Sequence, residues 1–362
     1  MHILALSPFH GGSHQSFLTG WMAHSRHEFT VESLPAYKWK WRMRHSAITL
    51  ATRANDRLRE QPFDVLFCTD MLNLAEFLGL ASPRLREIPA VVYFHENQLT
   101  YPVRNADERD LHFAFTNLTS ALAADHVWFN SGFHRDQFLA ALPDWLQRMP
   151  DYQPIEAVEA IRGKSAVMPP GIDSFPARTP SRPQPLHIVW ASRWEHDKGP
   201  EDFFSAIERL DQQGLEFRLS VVGESFSQVP DCFPAAQKQY RDRILNWGFL
   251  PSQDDYRQLL LNADVIVSTA KHEFFGIAIA EAVAAGCYPV VPDRLAYPEV
   301  LPGSDDFFYD GTVEGLAFTL KTLIGRVDHL WGCDPGRGRK LVERYTWSRT
   351  AKRMDEALPK RG

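Results

Sequence analysis

The sequence of 362 residues is long enough for two domains of ~150–200 residues each. Hydrophobic residues make up 44% and charged residues 23%, which is typical of a globular enzyme and excludes a disordered or fibrous chain. The formal net charge of −6 excludes a protein that coats nucleic acid through bulk positive charge, although it allows a local basic patch.

The sequence also indicates where the protein works. No stretch approaches the ~20 apolar residues of a membrane-spanning helix, and the opening apolar run is too short for a signal peptide. We therefore expect a cytoplasmic protein without a membrane partner. The cysteines show neither a metal-ligand spacing nor a disulfide framework, and are Cys68, Cys232, Cys287 and Cys333.

Short apolar runs alternate with longer helical patterns, a rhythm that predicts parallel strands joined by crossover helices. The runs are residues 2–7, 64–68, 90–94, 126–130, 187–191, 217–222, 265–268 and 287–291. Residues 176–185 are rich in proline, serine and arginine, which is typical of a linker. We expect two Rossmann-like, doubly wound α/β domains, 1–175 and 186–340, facing each other across a cleft. The helical pattern of residues 341–362 is a candidate for packing back on the N-terminal domain.

A glycine pair follows the first predicted strand. Gly11, Gly12 and Ser13 precede an apolar, helix-like run. Glycines at such a position let backbone N–H groups approach a phosphate at a helix N-terminus. A glycine pair after a strand is as often only a tight turn, so both interpretations stay open.

Aromatic residues alternate with cations in residues 35–45. The run contains Lys38, Trp39, Lys40, Trp41, Arg42 and Arg44. Cations that contact phosphates beside aromatic rings that stack on unpaired bases are typical of RNA binding. On composition alone, an amphipathic strand or helix start with buried tryptophans and exposed charges fits equally well.

Charged residues also follow the first predicted strand of the second half. Arg193 and Lys198 lie five residues apart, directly after Ser192. An arginine and a lysine at this spacing can hold a diphosphate from two directions and offset the charge of a leaving group. The alternative is a solvated charge pair at a strand end.

Two glutamates flank a turn of small and apolar residues. Glu273 is predicted in a strand-to-helix loop and Glu281 two turns into the helix. Because the residues between them are mostly apolar, we expect Glu273 to contact a sugar and Glu281 a ribose. Phe275, Gly276 and Ile277 would supply backbone N–H groups at the helix start.

The second half resembles the retaining glycosyltransferases of family 4. Their pattern is an arginine and a lysine after a strand, an E-x7-E element, and the motif A-x-A-x-G-x-P-V, which residues 282–290 match with one residue inserted. The resemblance implies the GT-B fold, with Arg193, Lys198 and Glu273 as catalytic residues. In that family a histidine after an N-terminal strand lies near the anomeric carbon. This implies His95 as a fourth catalytic residue, although a lone histidine is more often structural.

The first half resembles the tRNA-queuosine α-mannosyltransferases. The motifs that carry this likeness are residues 11–14, 38–44, 93–98, 101–102, 108–110 and 129–131. The resemblance runs through both domains and implies transfer of mannose from GDP-mannose to the queuosine wobble nucleoside of tRNA for aspartate. It implies acceptor contacts from the basic and aromatic run, Asn97 and Gln98. It implies donor contacts from Gly248, Phe249 and Leu250 in addition to the loops described above.

The mechanism implied by these resemblances is a front-face displacement with retention of configuration. The diphosphate leaves with help from Arg193 and Lys198, the acceptor hydroxyl attacks from the same side, and its proton passes to the departing phosphate. No Asp-x-Asp motif lies at a strand end beside these residues, since Asp305 and Asp306 are in a late loop. Positive side chains and helix N-termini are therefore predicted in place of a metal, and no cofactor is expected.

Two other functions are compatible with the sequence. A family 4 enzyme with a lipid or polysaccharide acceptor would insert Trp39 and Trp41 at a membrane. A non-catalytic RNA-binding relative would lack Arg193, Lys198 or Glu273, and all three are present. The sequence leaves the protein partners unknown.

Overall fold

The computed structural model describes residues 1–102, 110–177, 185–225, 229–303, 305–332, 334 and 336–359. The chain forms two compact units: Met1–Gly171 with Trp347–Gly362, and Ile172–Thr346. Each unit is built on a parallel sheet, which confirms the predicted α/β class. The chain enters the second unit before the predicted linker, of which residues 178–184 lie outside the described part.

Within the described residues, the first unit has a six-stranded parallel sheet in the order β2-β1-β3-β4-β5-β6. Its strands are β1 His2–His10, β2 Glu28–Pro35, β3 Val65–Thr69, β4 Ala90–Phe94, β5 His126–Phe129 and β6 Ser165–Val167. Every residue of β3 and β4 is buried, as expected of central strands that are covered on both faces. The carboxyl ends of these strands meet at one edge of the sheet, where ligands bind in such folds.

Helices cover both faces of this sheet. Those of the first unit up to residue 171 are α1 Gly12–His24, α2 Trp39–Glu60, α3 Leu74–Leu80, α4 Pro83–Arg86, α5 Leu111–Ala123, α6 Gly132–Leu146 and α7 Glu156–Gly163. Alternate residues of β1 join different cores, because side chains alternate across a strand. Leu4 and Leu6 belong to one cluster, whereas Ile3 and Ala5 belong to the other.

The second unit repeats this architecture. In the described residues its parallel sheet has the order β12-β11-β10-β7-β8-β9. The strands are β7 Leu186–Ala191, β8 Phe217–Val222, β9 Ile244–Gly248, β10 Val265–Val267, β11 Tyr288–Pro292 and β12 Phe308–Tyr309. The helices are α8 Pro200–Gln212, α9 Cys232–Gln239, α10 Gln253–Asn262, α11 Ile277–Ala285, α12 Tyr297–Val300, α13 Val313–Ile324 and α14 Arg337–Val342. Short 3₁₀ helices lie at His196–Lys198, Arg241–Arg243, Asp305–Phe307, Val327–His329 and Glu343–Tyr345.

The C-terminal helix, α15 Trp347–Ala357, belongs to the first unit. A Cβ atom at Gly20 of α1 would lie 2.1 Å from Cε2 of Trp347, so glycine is needed for the two helices to approach this closely. The indole Nε1 of Trp21 donates to Oδ1 of the buried Asp355 at 2.9 Å. A buried carboxylate is costly unless it is hydrogen-bonded, so this contact fixes α15 on α1.

Other expectations from composition concern cysteines, membranes and metals. Cys68 and Cys287 are buried free thiols and Cys232 is a half-buried one, while Cys333 lies outside the described residues. None of the helices that the structure describes is long and apolar enough to cross a membrane. The described residues contain no group of three or more histidine, cysteine, aspartate or glutamate side chains arranged to hold a metal ion.

Candidate active site

Two loops meet after the neighbouring strands β7 and β10 of the second unit. Gly199 has a φ of 62°, and a Cβ atom there would lie 2.4 Å from the carbonyl oxygen of Thr269. Only glycine allows this approach. Thr269 Oγ1 also donates to the carbonyl of Lys198 at 2.9 Å. The two contacts fix the 3₁₀ helix His196–Lys198 against the loop that carries Glu273.

The structure brings the predicted residues Lys198 and Glu273 together. The Nζ of Lys198 lies 3.3 Å from Oε2 of Glu273 and 3.4 Å from Oδ2 of Asp197, and it donates to the His272 carbonyl at 2.9 Å. Lys198 is only 7% exposed. Its ammonium group is therefore held at one place at the end of the sheet.

Glu273 is ionised at neutral pH. Burial alone would raise the pKa of its carboxyl group, but the charge of Lys198 and the backbone N–H of Phe275, at 3.4 Å, outweigh that effect and lower the pKa. Burial, followed by the charge of Lys198, lowers the pKa of the neighbouring His272 to about 4. The site therefore combines an ammonium group, a carboxylate and a neutral imidazole.

Gly276 connects this loop to α11. Its φ of 87° is left-handed, and a Cβ atom there would lie 2.9 Å from Cε1 of Tyr297, so a larger residue is excluded. No side-chain hydrogen bond caps the helix at Gly276. The N–H groups at the start of α11, from Gly276 and Ile277, form a positive end that favours an anion.

Glu281 lies one helical turn after Ile277, rather than the two turns predicted, because the left-handed Gly276 delays the start of α11. Its Oε2 accepts a hydrogen bond from the Tyr256 hydroxyl at 3.3 Å. Burial raises the pKa of the Glu281 carboxyl group to about 7, although the bond from Tyr256 opposes this rise. Glu281 therefore holds its proton to a higher pH than an exposed glutamate does.

Arg193 lies half-exposed in the loop after β7. Its Nη1 is 3.1 Å from Oε2 of Glu195. Its charge also contributes to the lowered pKa of His272, which places Arg193 within electrostatic range of the loop that carries His272 and Glu273. Ser192 precedes it and donates its backbone N–H to the Val222 carbonyl at 3.1 Å, which continues the pairing of β7 with β8.

The predicted donor residues Gly248, Phe249 and Leu250 lie at the end of β9. Gly248 has a φ of 93° and accepts a hydrogen bond from the Gly223 N–H at 3.2 Å. The Phe249 side chain is 63% exposed. An exposed aromatic ring at a strand end can stack on a nucleotide base.

In the first unit, His95 follows the central strand β4. Its backbone N–H donates to Oδ1 of Asp70 and its carbonyl accepts from Nδ2 of Asn130, both at 2.9 Å. Asp70 follows β3 and Asn130 follows β5, the strands on either side of β4. The main chain of His95 is therefore held from both sides at the carboxyl edge of the sheet.

The His95 imidazole is surrounded by other rings. Its centroid lies 4.0 Å from that of His14, 4.7 Å from Tyr93 and 5.0 Å from Phe17. Burial, followed by the imidazoles of His14 and His134, lowers the pKa of His95 well below its usual value, and burial lowers the pKa of His14 to about 4. Both rings are neutral at physiological pH. In the described part of the chain, His95 Nε2 is buried without a hydrogen-bond partner.

The glycine pair lies where a strand passes into a helix. Helix α1 begins at Gly12, and no side-chain hydrogen bond caps it at Gly11. A Cβ atom at Gly11 would lie 2.5 Å from Cβ of Ala36, so the backbone needs glycine there. Ser13 is exposed. This arrangement is compatible with a phosphate site and with a tight turn, the two interpretations that the sequence leaves open.

The aromatic and basic run forms the start of α2, and its two tryptophans differ. Trp39 packs on Phe113 with ring centroids 5.1 Å apart and is partly buried. Trp41 is 59% exposed and stacks on His45 at 4.8 Å with planes 2° apart. Burial of Trp39 matches the amphipathic-helix alternative, whereas Trp41 presents an open aromatic face.

Four cations alternate with the aromatic residues of this run. Those of the run are Lys38, Lys40, Arg42 and Arg44. The Arg44 guanidinium lies 5.1 Å from the Phe113 ring centroid, and Arg42 Nε donates to the Pro35 carbonyl at 2.9 Å. Such contacts order long side chains at the surface without neutralising their charge.

Asn97 and Gln98 lie in the turn after β4. Asn97 is fully buried, and its Oδ1 accepts from the N–H groups of Leu99 and Thr100 at 3.1 Å and 2.9 Å. Its side chain builds the turn, and its acceptor role stays a prediction. Gln98 Nε2 donates to Oε1 of Glu96 at 2.8 Å, and its acceptor role stays a prediction.

The sequence alone assigns no role to three polar residues of these sites: Asp70, Asn130 and Tyr256. The first two carry a readable signal, because each directly follows a buried apolar strand. No such signal identifies Tyr256, because its contact is with Glu281, which lies 25 residues away in the sequence. Of the motif residues 108–110, residues 108–109 lie outside the described part.

Solved structures share this architecture across the whole chain. Sucrose-phosphate synthase from Thermosynechococcus elongatus has a TM-score of 0.73 at 16% identity, covering 98% of each chain. A lipopolysaccharide outer core galactosyltransferase has a TM-score of 0.67 at 14% identity, covering 99% of each chain. Residues 172–317 match the glycosyl transferases of group 1. The chain is therefore a glycosyltransferase with the GT-B fold.

Residues 2–172 match the N-terminal domain of tRNA-queuosine alpha-mannosyltransferase. A Drosophila melanogaster protein named tRNA-queuosine alpha-mannosyltransferase is 38% identical over 313 residues, which cover 83% of this chain and 82% of that protein. The chain belongs to the tRNA-queuosine alpha-mannosyltransferase family. A GDP-mannose-dependent phosphatidylinositol dimannoside mannosyltransferase from Mycobacterium tuberculosis is 27% identical over 173 residues, covering 48% of this chain and 43% of that protein.

Proposed function

We propose that this protein transfers mannose from GDP-mannose to the queuosine wobble nucleoside of tRNA for aspartate, with retention of configuration and without a metal ion. Family membership across both units carries the proposal. The name of the mycobacterial relative includes GDP-mannose, which supports the choice of donor. The proposed setting is the cytoplasm.

The second unit binds the donor in this proposal. The ammonium group of Lys198 and the positive start of α11 accept the diphosphate, because both stabilise negative charge at the strand ends. Arg193 adds a second cation. Glu273 contacts the sugar, Glu281 contacts the ribose, and the exposed ring of Phe249 stacks on the base.

The first unit binds the acceptor. Trp41 offers an exposed face to an unpaired base of the anticodon loop, and the cations at the start of α2 contact phosphates. His95 supplies a neutral imidazole beside the anomeric carbon. A net charge of −6 makes a local contact of this kind the main source of attraction to RNA.

The chemical step is a displacement on one face of the sugar. The bond between the anomeric carbon and the phosphate oxygen breaks, and a bond to the acceptor hydroxyl oxygen forms on the same face. The hydroxyl proton passes to the departing diphosphate, so the products are GDP and mannosylated queuosine. Lys198 and the start of α11 offset the charge that develops on the leaving group, which metal ions offset in metal-dependent transferases.

The test is incubation of the purified protein with queuosine-containing tRNA and a panel of nucleotide sugars, followed by mass analysis of the digested nucleosides. We expect one added hexose on queuosine with GDP-mannose and no change on tRNA that lacks queuosine. Queuosine-containing tRNAs for other amino acids test the preference for aspartate tRNA. Transfer to a lipid or polysaccharide acceptor and none to tRNA would overturn the proposal.

A further inference from the structure

The hydrogen bonds to His95 continue the sheet beyond its last paired residues. Backbone pairing ends at Thr69 with Tyr93 on one side of β4 and at Phe94 with Phe129 on the other. His95 comes next, and there the side chains of the residues after β3 and β5 replace the backbone partners. The positions of the His95 N–H and carbonyl groups are therefore set by two side chains rather than by backbone partners in the sheet.

Both residues are themselves held in place. Asp70 is 1% exposed, and its backbone carbonyl accepts from Nδ2 of Asn117 at 3.1 Å. Asn130 is also buried, and Oδ1 of its side chain lies 2.8 Å from Nδ1 of His134. A residue that is fixed in this way transmits a defined geometry to its partner.

Asp70 is also an unusual choice for a buried position. In the described residues its Oδ2 is buried without a hydrogen-bond partner. Burial, followed by the nearby charge of Glu96, raises the pKa of this carboxyl group well above its usual value. A buried polar atom without a partner is costly, and Asp70 carries this cost at the position where its other oxygen, Oδ1, accepts the His95 N–H.

We propose that Asp70 and Asn130 are positioning residues, which hold the main chain of His95 so that its imidazole stays at the place of sugar transfer. This inference rests on the proposed function for the role of His95. Displacement of a group by ~1 Å at a reacting centre costs about 10²-fold in rate. Loss of either hydrogen bond should therefore lower kcat more than it changes donor binding.

The chain provides a matched control at the other end of the same strand. Oδ2 of Asp125 accepts the backbone N–H of Ala90, the first residue of β4, at 2.8 Å. Asp125→Ala removes the same kind of hydrogen bond as Asp70→Ala, but far from the carboxyl edge. It should lower thermal stability and leave kcat unchanged.

The experiment compares Asp70→Ala, Asp70→Asn and Asp125→Ala in the full-length protein. Asp70→Ala should lower kcat about 10²-fold with the KM for GDP-mannose nearly unchanged. Asp70→Asn should restore most of the activity, because an amide oxygen can accept the same His95 N–H. Asn130→Ala should behave like Asp70→Ala. Wild-type kcat in Asp70→Ala, or an equal loss in Asp125→Ala, would overturn the proposal.

A second measurement separates this inference from the proposed function. Nuclear magnetic resonance of histidine-labelled protein reports the His95 ring without any substrate. We expect its signals to move in Asp70→Ala and to stay in place in Asp125→Ala, and unchanged signals in Asp70→Ala would refute the positioning role.

If the wild-type protein does not modify tRNA, the proposed function fails, and hydrolysis of the donor without tRNA then serves as the activity for the same comparison. Equal hydrolysis by wild type and Asp70→Ala would also refute the positioning role.

Discussion

The ammonium group of Lys198 lies 3.3 Å from the carboxylate of Glu273. Both groups are largely shielded from water, so each lowers the cost of burying the other. The pair also joins two loops that follow the neighbouring strands β7 and β10. A change at either residue should therefore alter the chemistry and the stability of the second unit together.

Lys198→Ala should lower kcat by roughly 10²–10³-fold, because one preorganised charge at the leaving group is removed. Arg193→Ala should act in the same direction. The donor KM should change less, since the charge is needed most as the diphosphate departs. Steady-state kinetics with varied GDP-mannose measures both values, and near-normal turnover in either variant would contradict the assigned role.

A control separates catalysis from stability in that experiment. Lys198→Ala leaves the partly buried Glu273 carboxylate without its partner, which destabilises the fold. Adding Glu273→Gln removes that charge, so the double variant should lose less stability than the sum of the single variants. Chemical unfolding measures this difference, and strictly additive losses would show that the pair is not coupled.

The two glutamates of the E-x7-E element should respond differently to replacement. Glu281→Ala should raise the donor KM more than it lowers kcat, because a ribose contact is made equally in the ground state and the transition state. Glu273→Ala should lower kcat more than it raises the KM. Identical kinetic patterns for the two variants would contradict this division of roles.

The Glu281 pKa of about 7 leads to a prediction for pH dependence. The folded protein binds more protons at this group than the unfolded chain does between pH 4.5 and about 7, so the contribution of Glu281 to stability falls as pH rises through that range. Glu281→Gln should remove this effect. The melting temperature of the variant minus that of the wild type should be larger at pH 8 than at pH 5. A difference that does not vary with pH would contradict the raised pKa.

The central strands were predictable from the sequence, whereas the edge strands were not. All eight apolar runs form strands, but β2, β6, β9 and β12 were not predicted, and these four are the outermost strands of the two sheets in the described residues. A central strand is covered on both faces and needs a continuous apolar run. An edge strand such as β2, which includes Glu28 and Glu32, is partly exposed and lacks that signal.

The same limit applies to the sites. The E-x7-E spacing identifies Glu273 and Glu281, because both lie on one loop and the helix that follows it. The contacts of Asp70 and Asn130 with His95 depend on strand order, which places residues 25 and 35 positions away beside it. The different burial of Trp39 and Trp41 depends on the packing of α2 against Phe113, far away in the chain.

Treatment with EDTA should leave transfer activity intact. The proposal assigns the stabilisation of leaving-group charge to Lys198, Arg193 and the start of α11 rather than to a bound cation. The measurement is transfer to tRNA before and after chelation, with Mg²⁺ or Mn²⁺ added back. Complete loss of activity that either cation restores would contradict the prediction, whereas a small salt-like stimulation would not.

The surface at the start of α2 leads to a prediction in which two neighbouring tryptophans behave differently. Trp41→Ala should weaken tRNA binding with little loss of stability, because its ring is 59% exposed. Trp39→Ala should lower thermal stability by removing the contact with Phe113. Melting temperatures measured beside tRNA affinities distinguish the two effects, and hydrolysis of GDP-mannose without tRNA should be normal for Trp41→Ala.

The cations of the same surface should make tRNA binding sensitive to salt. Replacing Lys38, Lys40, Arg42 or Arg44 should lower the slope of log K against log salt by about 0.7–0.9 for each phosphate that the variant no longer neutralises. Lys40 is the clearest test, because replacing it removes a charge and leaves the packing of Trp39 on Phe113 in place. Its ammonium lies 5.6 Å from the centroid of the partly buried Trp39 ring. Lys321→Ala, on α13 of the second unit, is a control of equal charge change. If a variant with all four cations replaced binds and mannosylates tRNA normally at physiological salt, the acceptor surface lies elsewhere, and Gln98 is the next residue to replace.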